Sequence, residues 1–455
     1  MKIKYIFKHL VVASVMLQLT ACTETEVEQK FDKTPTERLN AQKSELQEVL
    51  LTSPDGWRAV YFTDDKQLGG FTHLFKFTAD GKVEMASDFN TASTTKFTSD
   101  YNIQLGSTVS LVFTTKNRIH LLSDSSPTAS PTTALRGKGY LGDFQFLYYG
   151  QDNGELIFKA NRTAGDTNSS EIRFVKATAQ DWDDLPKNFL MIPNVIGSNV
   201  FGANRGVEIF DGTTKKTYDF YPYTTITRFT NYNDPNSTNG IGIGYTPNGI
   251  VISPAIKVGE QKLSNFIYNS ADGSFTATGT NGVSASIKYS NIPFVITTDY
   301  KPMLKSPSTA YGYIAANLAT APSNSVLCNA LLNEINSNLP STQKVNRVQF
   351  TFNDANGDSY IAYTFTGGKT TIFHNITVKE DAANKTLQLI SGTWENNLGA
   401  TIPQPDLLAK IDAELTNSKG LYVKKETFVF NASNKLFTFA NANNNGFRLS
   451  TYAFQ

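Results

Sequence analysis

The chain has 455 residues, with 41 Lys and Arg against 40 Asp and Glu. That near-neutral balance lacks the strong basic field a nucleic-acid partner requires, so no nucleic acid is expected among its partners. Two cysteines in a chain this long rule out a disulfide framework, and 31 Phe and 20 Tyr supply apolar area for packed cores instead.

The first residues, Met1-Lys2-Ile3-Lys4 with Lys8 close behind, form a basic start. The apolar run Leu10 to Leu17 follows, too short for the ~20 residues that span a bilayer but long enough for the hydrophobic region of a signal peptide. It ends in Leu19-Thr20-Ala21-Cys22, which resembles the lipobox of bacterial lipoproteins. The resemblance implies cleavage before Cys22, a signal peptide over 1–21, and membrane attachment through acyl chains on that cysteine. Several chains on one residue meet the requirement for stable anchoring. Cleavage would remove Lys2, Lys4 and Lys8 and no acid, leaving the balance near neutral. Residues 22–33 read as a polar tether carrying Glu24, Glu26 and Glu28, similar to the acidic export signal of Bacteroidota lipoproteins displayed on the outer face of the outer membrane.

A helix is expected to open the folded part. Thr34-Pro35-Thr36-Glu37 supplies a cap, a first-turn proline and a capping-box glutamate, and Leu39, Leu46, Val49 and Leu50 fall on one face. Ser53-Pro54-Asp55-Gly56 ends it. The pattern then turns two-fold. Trp57–Phe62, Phe71–Phe77 and Lys82–Met85 read as strands, the last two joined at Asp80-Gly81. Further strand candidates are Tyr101–Leu105, Val109–Phe113, Ile119–Leu122, Phe144–Tyr149, Leu156–Ala160 and Ile172–Val175.

Asp181–Pro186 marks a junction. Strands resume at Val207–Phe210, Thr217–Tyr223, Ile250–Ile252, Phe266–Tyr268 and Phe275–Ala277, with the Asn- and Gly-rich Thr230–Gly244 read as a long loop. Beyond Lys305, helices are expected over Ser325–Asn338 and around Leu407, Leu408 and Ile411. Strands are expected at Val348–Phe352, Tyr360–Phe365, Phe428–Phe430, Leu436–Phe439 and Phe447–Phe454. The fold class is therefore mainly β: antiparallel meander modules, as up-and-down barrels or sandwiches, with a few short helices. The units are 34–180, a helix plus the first β module; 181–304, a second β module; and 305–455, a C-terminal α+β module. Three Asp-Gly or Asn-Gly turns, at Gly81, Gly273 and Gly357, share a local grammar, best explained by hairpins reusing the same turn chemistry.

The tether, the helix beginning Pro35-Thr36-Glu37-Arg38-Leu39, and Gly56-Trp57 leading through Tyr61 into a β-rich region together resemble an uncharacterised family of Bacteroidota surface lipoproteins, known as a domain of unknown function. Its members are often encoded near outer-membrane nutrient-uptake systems and a zinc metallopeptidase. The resemblance implies a surface accessory role and carries no catalytic residues.

The chemistry read from the residues is sparse. His73, His120 and His374 each sit in strand-like patterns without helical ligand spacing, so no metal site is assigned. Cys328, in a mostly apolar stretch, reads as a buried thiol. Asp354–Asp358 alternates oxygen donors, but Ser359 and Phe365 stand where a calcium loop needs Gly and Glu. Gly240–Gly244 lacks the Lys-Ser or Lys-Thr of a phosphate loop, and no Gly-x-Ser-x-Gly elbow is present. Candidate glycan- or peptide-binding residues are Trp182, Tyr218, Phe220, Tyr221 and Tyr223, whose rings could stack on sugar faces beside Asp219 and the aspartates flanking Trp182; core packing is the favoured account of both groups. No catalytic residue and no cofactor is assigned. The expected role is a non-catalytic binding or accessory component of a nutrient-uptake system, in complex with an outer-membrane transporter. A polymer hydrolase and a structural or adhesive surface protein are the alternatives.

Overall fold

The computed structural model describes residues 33–163, 171–197, 204–222, 227–234, 237–290, 292–444 and 446–454. Signal peptide, Cys22 and nearly all of the tether lie outside the described residues, as does Tyr223.

Helix α1 (Pro35–Leu50) begins as its sequence dictates. Thr34 accepts the Glu37 amide, and the Glu37 carboxylate accepts the Thr34 amide at 2.8 Å. Its Leu46 and Leu50 enter the first barrel's core, where Trp57 Nε1 donates to the Leu50 carbonyl at 2.9 Å. That bond fixes where the helix stops and the first strand starts.

Eight antiparallel strands follow: β1 (Trp57–Asp64), β2 (Gly69–Phe77), β3 (Lys82–Ser87), β4 (Phe97–Leu105), β5 (Val109–Phe113), β6 (Gln145–Asp152), β7 (Glu155–Ala160) and β8 (Ile172–Lys176). They pair in chain order and close when Trp57 and Arg58 meet Lys176 and Val175. Alternation fills the interior: Phe75 stacks on Phe174 with ring centroids 4.6 Å apart and on Phe113 at 5.5 Å. The barrel interior is a packed core.

Two short helices, α2 (Ala179–Asp184) and α3 (Asn188–Ile196), lead to a second closed ring. Its strands are β9 (Asn204–Phe210), β10 (Lys215–Pro222), β11 (Phe229–Asp234), β12 (Ser237–Thr246), β13 (Gly249–Val258), β14 (Gln261–Asn269), β15 (Ser274–Thr278) and β16 (Ser284–Ser290). Closure runs from Asn204↔Ser290 to Phe210↔Ser284. Met191 and Val195 of α3 join its core.

A third ring comprises β17 (Tyr311–Ile314), β18 (Val345–Thr351), β19 (Tyr360–Phe365), β20 (Ile372–Asp381), β21 (Thr386–Asn396), then, after the short edge strand β22 (Thr401–Ile402), β23 (Leu421–Lys425), β24 (Leu436–Asn441) and β25 (Arg448–Ala453). The β20–β21 and β17–β25 pairings close it, with β22 appended to β21. Helices α4 (Ala315–Leu318) and α5 (Val326–Ser337) join β17 to β18, and α6 (Asp406–Leu415) joins β22 to β23. All three units are thus eight-stranded antiparallel barrels. The mainly-β expectation holds, and the open choice between barrel and sandwich resolves to barrels.

Three local expectations are corrected. Thr230–Gly244 is not a long loop but most of the β11–β12 hairpin. Its isoleucines, Ile241 and Ile243, are buried in the second barrel's core, while the alternating Gly242 and Gly244 face the first barrel. A Cβ on Gly244 would lie 2.4 Å from Val60 Cγ1. Glycine is there because another strand passes close, which hides an ordinary strand from a composition-based reading. Ile119–Leu122 is a 3-10 turn, Arg118–Ser123, so His120 is not a strand residue; its Nδ1 accepts the Asn117 amide at 3.1 Å. Phe428–Phe430 forms only an isolated bridge, Phe430↔Ala432. The three Asp-Gly and Asn-Gly turns join β2–β3, β14–β15 and β18–β19; the first and third link the second and third strands of their rings, and the other links the sixth and seventh.

His73 points into the first barrel and is completely buried. Burial, assisted by the nearby Arg228 charge, pushes its imidazole down to about 3 from an ordinary value of 6.5. The unfolded chain therefore takes up this proton first. The stability conferred is full above about pH 6.5 and is lost progressively as pH falls towards 3. A His73→Leu variant is expected to lose that part of the acid destabilisation, read as a flatter dependence of the urea midpoint on pH across this window. At Gly69, φ is +78° and a Cβ would lie 1.8 Å from the Arg228 carbonyl oxygen. Gly69→Ala should cost about 3 kcal/mol in urea unfolding, combining positive-φ strain and overpacking of order 1–3 kcal/mol each.

Candidate functional site

Polar groups concentrate in three places: the seam between the first two barrels, the seam between the last two, and the end of the third barrel closed by α6.

At the first seam Asp88, just after β3, has no exposed surface. Its Oδ1 accepts the Thr72 amide at 2.8 Å, and its Oδ2 accepts Asn188 Nδ2 at 2.9 Å. Arg228 comes across from the second barrel. Its Nη2 lies 3.3 Å from Asp88 Oδ1 and donates to the Asp88 carbonyl at 2.7 Å, while Nη1 donates to the Gly70 carbonyl at 2.7 Å. The guanidinium also sits 4.5 Å from the Phe71 ring centroid and 5.1 Å from that of Tyr245. Burial raises the Asp88 carboxyl from its ordinary range, with the Arg228 charge opposing. Thr72 Oγ1 donates to the Tyr245 carbonyl and Ser253 Oγ to Asp65, so the seam is bonded along its length.

At the second seam Asp219 of β10 meets Lys424 of β23, and Lys424 also lies 3.4 Å from Glu426 Oε2. Thr438 Oγ1 donates to Glu426 at 2.5 Å. Burial raises Asp219, Lys424 pulls it back and Glu426 pushes it further up. Burial alone would lower Lys424, but Glu426 and Asp219 outweigh it and hold the ammonium above its ordinary value. Two linker bonds, Thr297 Oγ1 to the Val423 carbonyl at 2.9 Å and Asp299 Oδ2 accepting the Lys425 amide at 2.7 Å, tie the barrels further. A cavity of about 20 Å³ bordered by Asp219, Lys424, Glu426 and Arg448 is of the size of one water.

In the third barrel, β20, β21, β19 and α6 bring together His374, Ser391, Tyr363 and Asp412. His374 is completely buried; its Nδ1 lies 2.8 Å from Asp412 Oδ1 and its Nε2 2.9 Å from Ser391 Oγ. Tyr363 donates to the same Asp412 oxygen at 2.8 Å. The imidazole stacks on Trp394 with centroids 4.3 Å apart and planes 6° from parallel. Burial and the Asp412 charge hold the Tyr363 phenol far above its ordinary value. His374 is thus the satisfied strand histidine expected from its pattern, but its Asp and Ser partners lie 38 and 17 positions away, and no motif links them. A groove of about 570 Å³ runs outside the same barrel between α5 and α6, with Leu331, Ile335, Leu407 and Ile411 along it and the Glu334–Lys410 ion pair across it.

Among the aromatic candidates with described side chains, Trp182, Tyr218 and Phe220 each have packing partners within the protein. Trp182 of α2 donates from Nε1 to the Asp55 carbonyl at 2.8 Å, carries Lys96 over its ring at 4.7 Å and packs on Leu74, Ala86, Ala177 and Leu185, a small apolar cluster on the face of β2 and β3 opposite the barrel core. Phe220 is a core residue of the second barrel. Tyr218 is half-buried in a T-shaped pair with Tyr232, centroids 5.2 Å apart. Tyr221 lies on β10. Cys328 of α5 is buried, and burial pushes its thiol well up, so it is held as the unreactive thiol. Asp354 Oδ1 accepts the Asn356 and Asp358 amides at 2.8 and 2.9 Å, as a turn does. Among the described residues no cluster of three or more His, Cys, Asp or Glu is arranged to hold a metal ion.

Removing one partner of a buried, hydrogen-bonded charge pair leaves the other uncompensated. Arg228→Ala is therefore expected to cost about 3–5 kcal/mol in urea unfolding, and the added Asp88→Asn to restore part of that loss. Additive effects in this double-mutant cycle would show that the two side chains are not coupled.

No curated protein matches the chain. Among solved structures, the beta subunit from DNA polymerase of Streptococcus pyogenes aligns over 90% of this chain and 97% of that one, at 8% identity and a TM-score of 0.16. A family model described as a domain of unknown function, DUF4302, matches residues 27–270, more than half of the chain and reaching from ahead of α1 to the end of β14. This chain belongs to the DUF4302 family.

Proposed function

We propose that the chain is a bacterial lipoprotein, anchored through acyl chains on Cys22 and displayed at the outer-membrane surface, where its three barrels serve as a binding or accessory component of a nutrient-uptake system. The observation that carries this reading is the lipobox Leu19-Thr20-Ala21-Cys22 behind a basic start and a short apolar run. Several acyl chains on one cysteine give stable attachment without a spanning helix. Among the described residues no helix is long and apolar enough to cross a membrane, which leaves β-barrel crossing unaddressed.

The accessory role is supported by how the barrels are filled and joined. Interior positions are taken by Phe75, Phe113 and Phe174 in the first, Phe220 and Phe275 in the second, and Phe350 and Phe439 in the third. A partner is then met by the outer faces and the α5–α6 groove rather than by a lumen. The buried seams hold those faces in register, which favours recognition of a large partner such as a transporter over enclosure of a small ligand.

Replacement of Cys22 by Ala is expected to abolish incorporation of a clickable fatty acid and move the protein from the membrane to the soluble fraction. Unchanged membrane partition in Cys22→Ala would reject the anchor. Pull-down of the intact chain from detergent-solubilised outer membranes should recover an outer-membrane transporter; recovery of no stable partner would reject the uptake-complex role.

A further inference from the structure

We propose that Ser391, His374 and Asp412 form an acyl-transfer site, with Ser391 the nucleophile towards a short-chain carboxylic ester presented at the surface of the third barrel. The inference goes beyond the accessory role and stands on the geometry of these residues.

Proton placement comes first. Asp412 Oδ1 lies within hydrogen-bond distance of both Tyr363 Oη and His374 Nδ1. With the imidazole proton on Nδ1, the tautomer this proposal uses, the same carboxylate oxygen accepts from both groups. The neutral imidazole then has its lone pair on Nε2, 2.9 Å from Ser391 Oγ, and accepts the serine proton. This is the division of labour of an acyl-transfer triad: carboxylate orients, imidazole accepts, hydroxyl attacks. Trp394 stacked on the ring and Asp412 on a helix rather than a loop fix the imidazole in that orientation.

Access comes second. His374 and Asp412 are buried, but Ser391 stands within Ile390–Thr393, a stretch exposed throughout. The stretch coincides with a bulge: His374 pairs with Trp394, whereas Ile376, two residues on, pairs with Ser391 three residues back. Gly392 is required there, since a Cβ would lie 2.6 Å from the Asn375 carbonyl oxygen. With glycine next to it, no side chain at 392 can shield the serine. The Gly392 amide, directly after the nucleophile, occupies the chain position from which an oxyanion donor commonly comes. An open serine beside a glycine and a threonine suits a small acyl group projecting from a larger molecule.

In the reaction, Ser391 Oγ bonds to the ester carbonyl carbon as its proton passes to His374 Nε2. The tetrahedral adduct expels the alcohol, which departs with that proton, leaving acyl-Ser391. Water then adds to the acyl carbon, again giving a proton to Nε2. The proton returns to Ser391 Oγ as the carboxylic acid leaves.

A structural hydrogen-bond network would hold the same distances without forming a covalent adduct, so the test is covalent. The full-length chain in detergent is treated with a fluorophosphonate probe and mapped by peptide mass spectrometry, and p-nitrophenyl acetate turnover is measured alongside. The expected result is a single adduct on Ser391, with turnover falling about 10³-fold or more in Ser391→Ala. Because Ser391 is exposed, Ser391→Ala should keep its far-UV circular dichroism and unfolding midpoint, whereas changes at His374 or Asp412 reach into the core. No adduct on Ser391, or equal turnover in wild type and folded Ser391→Ala, overturns the proposal.

Discussion

Asp88 has no contact with water, and a carboxylate in that position is tolerable only with a full set of partners. One comes from its own barrel, the Thr72 amide; one from α3, Asn188; and the charge from Arg228, in the next barrel. The first barrel therefore cannot satisfy this seam carboxylate alone. Arg228 also bonds the Gly70 carbonyl and lies over Phe71, while the glycines of β2 and β12 let the two strand backbones come close enough for that reach. Charge pair and glycine contact depend on each other: a side chain at Gly69 would displace the Arg228 backbone, and loss of the arginine would strand the aspartate.

The second seam repeats the logic with different groups. Lys424 bridges Asp219 and Glu426, one carboxylate from each barrel. Buried ion pairs contribute little net stability compared with apolar packing, but they penalise any arrangement that separates the partners. Set between barrels whose cores are each complete, they act on the relative placement of the barrels more than on the folding of any one of them.

The third barrel differs in carrying helices within its ring. Leu408, Ile411 and Leu415 of α6 pack into the barrel core, and the same helix delivers Asp412 to His374 and Tyr363. Its Leu407 and Lys410 line the outer groove. The helix thus closes the barrel and positions the one buried histidine whose hydrogen bonds lead to an exposed hydroxyl at Ser391.

Much of this was written locally. Thr34 and Glu37 specify the start of α1, the period-two alternation of Phe71–Phe77 specifies a strand, and Leu331, Leu332 and Ile335 specify the buried face of α5. These depend on neighbours within a few residues, and so the mainly antiparallel class and helices α1, α5 and α6 could be read from the sequence, whereas α2, α3 and α4 were not. Ring closure, in contrast, joins Trp57 to Lys176 and Asn204 to Ser290, and no local pattern distinguishes a meander that closes from one that packs face to face. The glycines of β12 looked like loop residues because what they face belongs to another barrel. Phe220 and Trp182 could be read either as ligand platforms or as packing, since an aromatic side chain serves both uses and only the surrounding atoms decide. The Ser391–His374–Asp412 alignment was decided by tertiary structure alone, because hydrogen bonding depends on distance in space and these residues come from two strands and a helix.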